Sequence, residues 1–199
     1  MISSNNYNKI IEYTTKYLTK IYPAFYRQNS SNINPLSYWI YGFQIAALNF
    51  QTDDTAMKLN KALFNDNGNC GYVLKPEILT NPSFNFNPLD ANTMNNKKTI
   101  EIKIISAQNI PITLNDSTKD ISDPFVVVSI HGVPCDFAEK KTKTVRDNGF
   151  NPIWNEDVKF TVNCPELAFV KFTVKDQDTG VDDLLGHFSI RLINGNFCN

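Results

Sequence analysis

From Trp154 onward the chain alternates strictly. Trp154, Glu156, Val158, Phe160 and Val162 fall on one side, with Asn155, Asp157, Lys159 and Thr161 on the other. A period of two predicts a half-buried strand, with residues 158–162 at its centre. The residues leading into it read DNGFNP (147–152), and two turns are expected there. Asn148-Gly149 supplies the positive φ of a tight turn, and Asn151-Pro152 a second bend. The same alternation runs through 99–106, where Ile100, Ile102 and Ile104 oppose Thr99, Glu101 and Lys103. Apolar strands are predicted at 124–130, 169–174 and 185–192, and a short basic one at 141–145. Short strands separated by turns predict an antiparallel sandwich.

The first half is patterned differently. Residues 8–19 predict a helix, with Ile10, Ile11, Thr14, Tyr17 and Leu18 near one face. Lys20-Ile21-Tyr22 predicts a short strand stopped by Pro23, and 29–35 a polar loop. The apolar run FQIAALNF (43–50) is short enough for a buried strand. Thr52 or Asp53 then caps a helix running to about residue 64, with Ala56, Leu59, Ala62 and Leu63 on its apolar side and Gly68 just beyond. Residues 81–97 are rich in Asn and Pro without sustained periodicity, as in a linker. Near residue 97 the pattern therefore switches from α/β to all-β.

Composition narrows the function classes. Of the 199 residues 42 % are hydrophobic and 20 % charged, with a net charge of −1. That balance argues against a general electrostatic affinity for nucleic acid. The start, MISSNNYNKI, has no basic segment followed by an apolar core, so it does not read as a secretory signal. No window approaches the roughly 20 apolar residues that span a bilayer. Cys70, Cys135, Cys164 and Cys198 form no C-x-x-C pair, and His131 and His187 are far apart in sequence. Isolated thiols in a reducing compartment are expected rather than a zinc site.

Carboxylates gather at loop positions in the second half. Asp123 precedes Pro124, Asp147 lies in the DNG turn, Asp176 and Asp178 are two apart at a strand end, and Asp182 and Asp183 follow. Any one of them is explained by the turn preference of aspartate. Together, at one end of a sandwich, they make a candidate calcium site, since calcium takes 6–8 oxygen ligands on an adaptable frame. Lys140, Lys141, Lys143 and Arg146 form a basic run. It suits either anionic lipid headgroups or the solvated, edge-protecting face of a strand.

SDPFVVVSIHG (122–132), DNGFNPIWNE (147–156) and KDQDTGVDDLLG (175–186) resemble, in order and spacing, segments of C2 domains, β-sandwiches that often bind calcium and membranes. That resemblance makes Asp123, Asp147, Asp176 and Asp178 the side-chain ligand candidates, with Asn115, Asp116 and the Ile121 carbonyl as weaker ones. LTKIYP (18–23), NSSNINP (29–35), FQIAALNFQT (43–52) and NGNCGYVLKPEIL (67–79) resemble the end of the catalytic Y region of eukaryotic phosphoinositide-specific phospholipase C. In that family a C2 domain follows directly. IHGVP (130–134) and CPELAFVKFTVKD (164–176) resemble the C2 domain of the same enzymes, the delta-type branch in particular.

The resemblance implies a fold and a role. The fold is an α/β partial TIM-barrel segment followed by an all-β C2 antiparallel sandwich. It divides into a Y-region portion at 1–80, a linker at 81–97 and a C2 domain at 98–199. The family cleaves phosphatidylinositol 4,5-bisphosphate to diacylglycerol and inositol trisphosphate, using two histidines and a calcium site from an X half that nothing here resembles. No catalytic residue is therefore expected in this chain, which would be inactive alone and paired with the missing X half in a longer enzyme. Tyr22 matches a family tyrosine that packs on the inositol ring. Lys20 stands where the family has a phosphate-binding arginine, keeping the charge but losing the bidentate fork. Phe25 and Tyr26 follow, where the family has a glycine and an apolar loop residue that touches membrane, and they suit either insertion at the interface or local packing. The implied cofactor is Ca2+. The implied partners are a phosphoinositide headgroup and an anionic membrane surface, at a cytoplasmic, peripheral location. Six strands after the linker, against the usual eight, further suggest a C-terminally truncated sandwich, and two strand–helix units in 1–80, against the eight strands of a closed barrel, an incomplete barrel.

Overall fold

The computed structural model describes residues 6–24, 28–111, 121–178 and 180–192. Asn115, Asp116, Phe25, Tyr26 and Cys198 lie outside them. The first part runs α1 (Tyr7–Lys16), β1 (Lys20–Ile21), α2 (Leu36–Trp39), β2 (Ile45–Ala46) and α3 (Thr55–Phe64). β1 and β2 pair in parallel, Lys20 opposite Ile45.

Two expectations change here. Only Ile45 and Ala46 of the 43–50 run form strand, and Ile45 and Phe50 are exposed. A run apolar on both faces suits a strand flanked on both sides by others, whereas this sheet has two strands among the described residues. The cap of α3 is Asp54, one residue beyond the expected position, and its carboxylate accepts the Met57 N–H at 3.0 Å. Such a cap stabilises a helix by about 1 kcal/mol. The apolar side of α3 is as expected: Ala56, Leu59 and Ala62 are buried.

Among the described residues the second part has six strands, β3 (Lys98–Ser106), β4 (Pro124–His131), β5 (Ala138–Lys141), β6 (Ile153–Val162), β7 (Phe169–Asp176) and β8 (Leu184–Arg191). They form an antiparallel β3–β6 pair and a four-stranded antiparallel sheet ordered β5-β4-β7-β8. Burial along β6 alternates as its sequence does, with Trp154, Val158, Phe160 and Val162 inside. The basic strand is displaced from 141–145 to 138–141, because Thr142 turns inward. Its hydroxyl accepts the Val126 N–H at 3.0 Å, satisfying a ladder donor with a side chain.

Two cores result. One lies between the sheets, around Val128, Ile130, Trp154, Phe160, Val162 and Val170. The other joins the halves of the chain: Trp39, Leu59 and Ala62 pack with Val133, Leu167 and Phe169. The Trp39 and Phe169 rings lie 6.1 Å apart. The 81–97 stretch contributes buried Phe86 and Met94 to this second core.

Polar contacts also cross the seam. Arg191 Nη1 meets Asp66 Oδ2 at 2.9 Å, with both side chains largely buried. Beneath the seam, fully buried Asp136 accepts N–H groups from the Asn163 backbone (2.7 Å), the Asn163 side chain (2.7 Å) and Cys164 (2.9 Å). Nothing local in the sequence flags Asp136, whose partners lie 27 and 28 residues away.

Candidate functional site

Three of the four predicted metal-site aspartates meet at one end of the sandwich. Asp123 ends the segment before β4, Asp147 sits in the turn before β6, and Asp176 closes β7. The pairing of β4 with β7 places Pro124 opposite Asp176, so two segments distant in sequence end side by side. Hydrogen bonds then tie all three. Asp176 Oδ1 accepts the Asp123 N–H at 2.6 Å, and Asp123 Oδ1 accepts the Asp147 N–H at 2.8 Å. Gln177 N–H donates to the Asp123 carbonyl at 3.1 Å, and Asp176 N–H to that of Asp183 at 2.9 Å.

The turn itself differs from expectation. Positive φ falls on Asp147 (51°) rather than on Asn148-Gly149. A short polar side chain tolerates this conformation better than most. Gly149 is needed for closeness instead: a Cβ there would lie 2.9 Å from the Ser122 Cβ and 3.1 Å from its nitrogen. The glycine lets the Asp147 turn rest on the segment that carries Asp123.

Asp178 is the fourth predicted ligand. It is exposed and follows the end of β7. Ile121 is exposed nearby in sequence. The oxygen-only donor set suits a hard cation. Among the described residues no lysine or arginine forms an ion pair with Asp123, Asp147 or Asp176. Equally, no three His, Cys, Asp or Glu side chains among them stand as a ready-made metal cage.

The other predicted groups take distinct places. Lys20 on β1 and Tyr22 just beyond its end are both exposed, in the same part of the chain as exposed Tyr17 and Leu18. The basic run is partly absorbed by the sandwich: Lys141 Nζ lies 3.9 Å from the Phe125 ring centre, and the Lys143 N–H donates to Glu156. His131 Nε2 is 3.0 Å from Ser129 Oγ, and its ring meets Phe137. Burial, then the nearby Lys171 charge, pushes its pKa down to about 4. His187, on β8, is held below its ordinary value by partial burial and then by Lys58. Neither histidine is placed as one of an acid–base pair. Cys70, Cys135 and Cys164 are free thiols, Cys164 buried. No helix among the described residues is long and apolar enough to cross a membrane.

Residues 1–78 match the family model described as "Phosphatidylinositol-specific phospholipase C, Y domain", and residues 98–196 match the C2 domain model. Human "1-phosphatidylinositol 4,5-bisphosphate phosphodiesterase eta-1" is 46 % identical over 181 residues, spanning 89 % of this chain and 11 % of that protein. "Inactive phospholipase C-like protein 2" of Mus musculus is 42 % identical over 191 residues, spanning 94 % of this chain and 17 % of that one. The crystal structure of S. officinalis PLC21 superposes with a TM-score of 0.82 at 35 % identity, over 95 % of this chain and 24 % of that one. The chain thus corresponds to a small part of each relative's length.

Proposed function

The chain belongs to the phosphatidylinositol-specific phospholipase C family, joining the end of a Y domain to a C2 domain, and from that premise we propose that it serves as the membrane-engaging part of a phosphoinositide phospholipase C. Hydrolysis of phosphatidylinositol 4,5-bisphosphate belongs to the longer protein. This chain carries Tyr22 and Lys20 toward the headgroup and a calcium-dependent contact with anionic membrane, at the cytoplasmic surface. The observation that carries the reading is the Asp123–Asp147–Asp176 cluster, where the β4–β7 pairing and two carboxylate–amide hydrogen bonds converge on one loop end. Calcium there would neutralise carboxylates that have no cationic partner among the described residues, with Asp178 as a further candidate ligand.

The same geometry argues against chemistry by this chain alone. It has two histidines. His131 is half-buried beside Ser129, and His187 belongs to a different strand facing α3. No proton-transfer pair results, and the relatives include both a phosphodiesterase and a protein called inactive.

Co-sedimentation with phosphatidylserine vesicles tests the reading. Binding is expected to rise with calcium, and Asp123→Asn combined with Asp176→Asn to remove that rise. Calcium-independent binding, or a double variant that keeps the full response, would overturn it. The purified chain is also expected to release no inositol trisphosphate.

A further inference from the structure

α3 packs against the outer face of the four-stranded sheet, on the side of β7 and β8 that carries Lys171, Thr173, His187 and Ser189. Phe169 and Arg191 on that face touch the first half of the chain, and the ladder places Lys171 opposite Ser189 and Thr173 opposite His187. Lys171 Nζ reaches the Thr55 hydroxyl at the start of α3, at 3.3 Å. From the α3 side comes Lys58, whose side chain is only 10 % exposed. Lys58 is close enough for its charge to disfavour the protonated forms of both Lys171 and His187, after burial itself.

This seam carries more positive charge than its carboxylates offset. Asp53 is shared between Lys58 at 3.8 Å and Lys61 at 3.6 Å, long contacts for ion pairs, and is itself more than half exposed. Glu139 is the carboxylate felt by Lys171, while Asp53 acts on His187. In the same seam Ser189, 8 % exposed, has a buried hydroxyl with no hydrogen-bond partner among the described residues. Buried hydroxyls are nearly always paired, and like charges this near one another repel in a partly desolvated site. A bound anion answers both: it accepts from the hydroxyl and neutralises the ammonium groups.

We propose that the seam between α3 and β7–β8 binds a phosphate-class oxyanion, held by the Lys58 and Lys171 ammonium groups and the Ser189 hydroxyl, with exposed His187 and Lys61 at its mouth. Two lysines at fixed positions and a hydroxyl donor match a tetrahedral oxyanion better than a planar carboxylate, which favours the arginine fork. The site lies away from the aspartate loops and from Lys20 and Tyr22, and it bridges the two halves of the chain. Occupancy would strengthen their junction.

Thermal unfolding of the full chain, with sodium phosphate titrated against sodium chloride at matched ionic strength, tests this. At tenfold the dissociation constant, phosphate is expected to raise Tm by about 3–6 °C. Lys171→Met should abolish that rise and, in phosphate-free buffer, unfold no earlier than the parent, because it removes a repelling charge. Ser189→Ala, which deletes an unpartnered hydroxyl, should fold normally and need several-fold more phosphate. Lys103→Met, on β3, should respond as the parent does. No phosphate-specific rise, or an equal rise in every variant, overturns the proposal. Sedimentation with phosphoinositide vesicles separates the sources: loss of binding in the Lys171→Met and Ser189→Ala proteins identifies the oxyanion as a lipid headgroup, and unchanged binding identifies it as a soluble phosphate.

Discussion

His131 shows how one residue's surroundings set a property of the molecule. Its imidazole is wedged between Ser129 and Phe137 on the sheet face that meets α3. Burial and the Lys171 charge hold its pKa at about 4 in the folded chain, against 6.5 when free. The neutral ring is therefore favoured by folding. Its contribution is fully present above pH 6.5 and is lost as pH falls toward 4. His187 is lowered as well and acts in the same direction. Discounted for its partial exposure, the loss at His131 is on the order of 2 kcal/mol at pH 4. Urea unfolding at pH 7 and pH 4.5 should show this slope in the parent and a shallower one in His131→Gln. An equal slope in both would place the acid sensitivity elsewhere.

At the scale of elements, legibility in the sequence followed local periodicity. β6 was readable because one face meets the core and the other meets solvent, so Trp154, Val158, Phe160 and Val162 stand out by alternation. α2 was not, because four residues after Pro35 are too few to show a helical period. The 43–50 run was over-read, because apolar content alone does not say how many strands flank it. The aspartates were readable one by one as turn residues. What joins Asp123, Asp147 and Asp176 is the β4–β7 pairing and the close approach at Gly149, neither of which has a local signature. The close approach carries its own expectation. Gly149→Ala would drive a methyl group against Ser122, costing about 1–3 kcal/mol and breaking the Asp147–Asp123 hydrogen bond. Hydrogen exchange at the Asp147 amide should then accelerate sharply. Gly180→Ala, where a Cβ meets open space, should leave it unchanged.

For the whole molecule, the decisive feature is that the sequence boundary near residue 97 is not a boundary in the core. Trp39, Leu59 and Ala62 from the first part share one buried cluster with Val133, Leu167 and Phe169 from the second, and Phe86 and Met94 fill it from the stretch between. Arg191 and Asp66 close its edge. Breaking such a buried pair by removing one partner leaves an uncompensated charge, so the two parts resist separation by more than apolar contact. Among the described residues the first part has a two-stranded sheet and short helices, too little to bury a core of its own. Its stability must come largely from the sandwich. The chain is therefore expected to unfold in a single transition. Its two tryptophans report on opposite sides of the boundary, Trp39 in the shared cluster and Trp154 between the sheets. Trp154→Phe leaves Trp39 as the fluorescent probe, and Trp39→Phe leaves Trp154. With Arg191 intact, each variant's fluorescence midpoint in urea should coincide with its own circular-dichroism midpoint. Adding Arg191→Met should make the Trp39 signal melt first, because the sandwich keeps its inter-sheet core while the first part loses its anchor. A Trp39 signal that already precedes the loss of secondary structure with Arg191 intact would mean that the shared cluster does not couple the two parts.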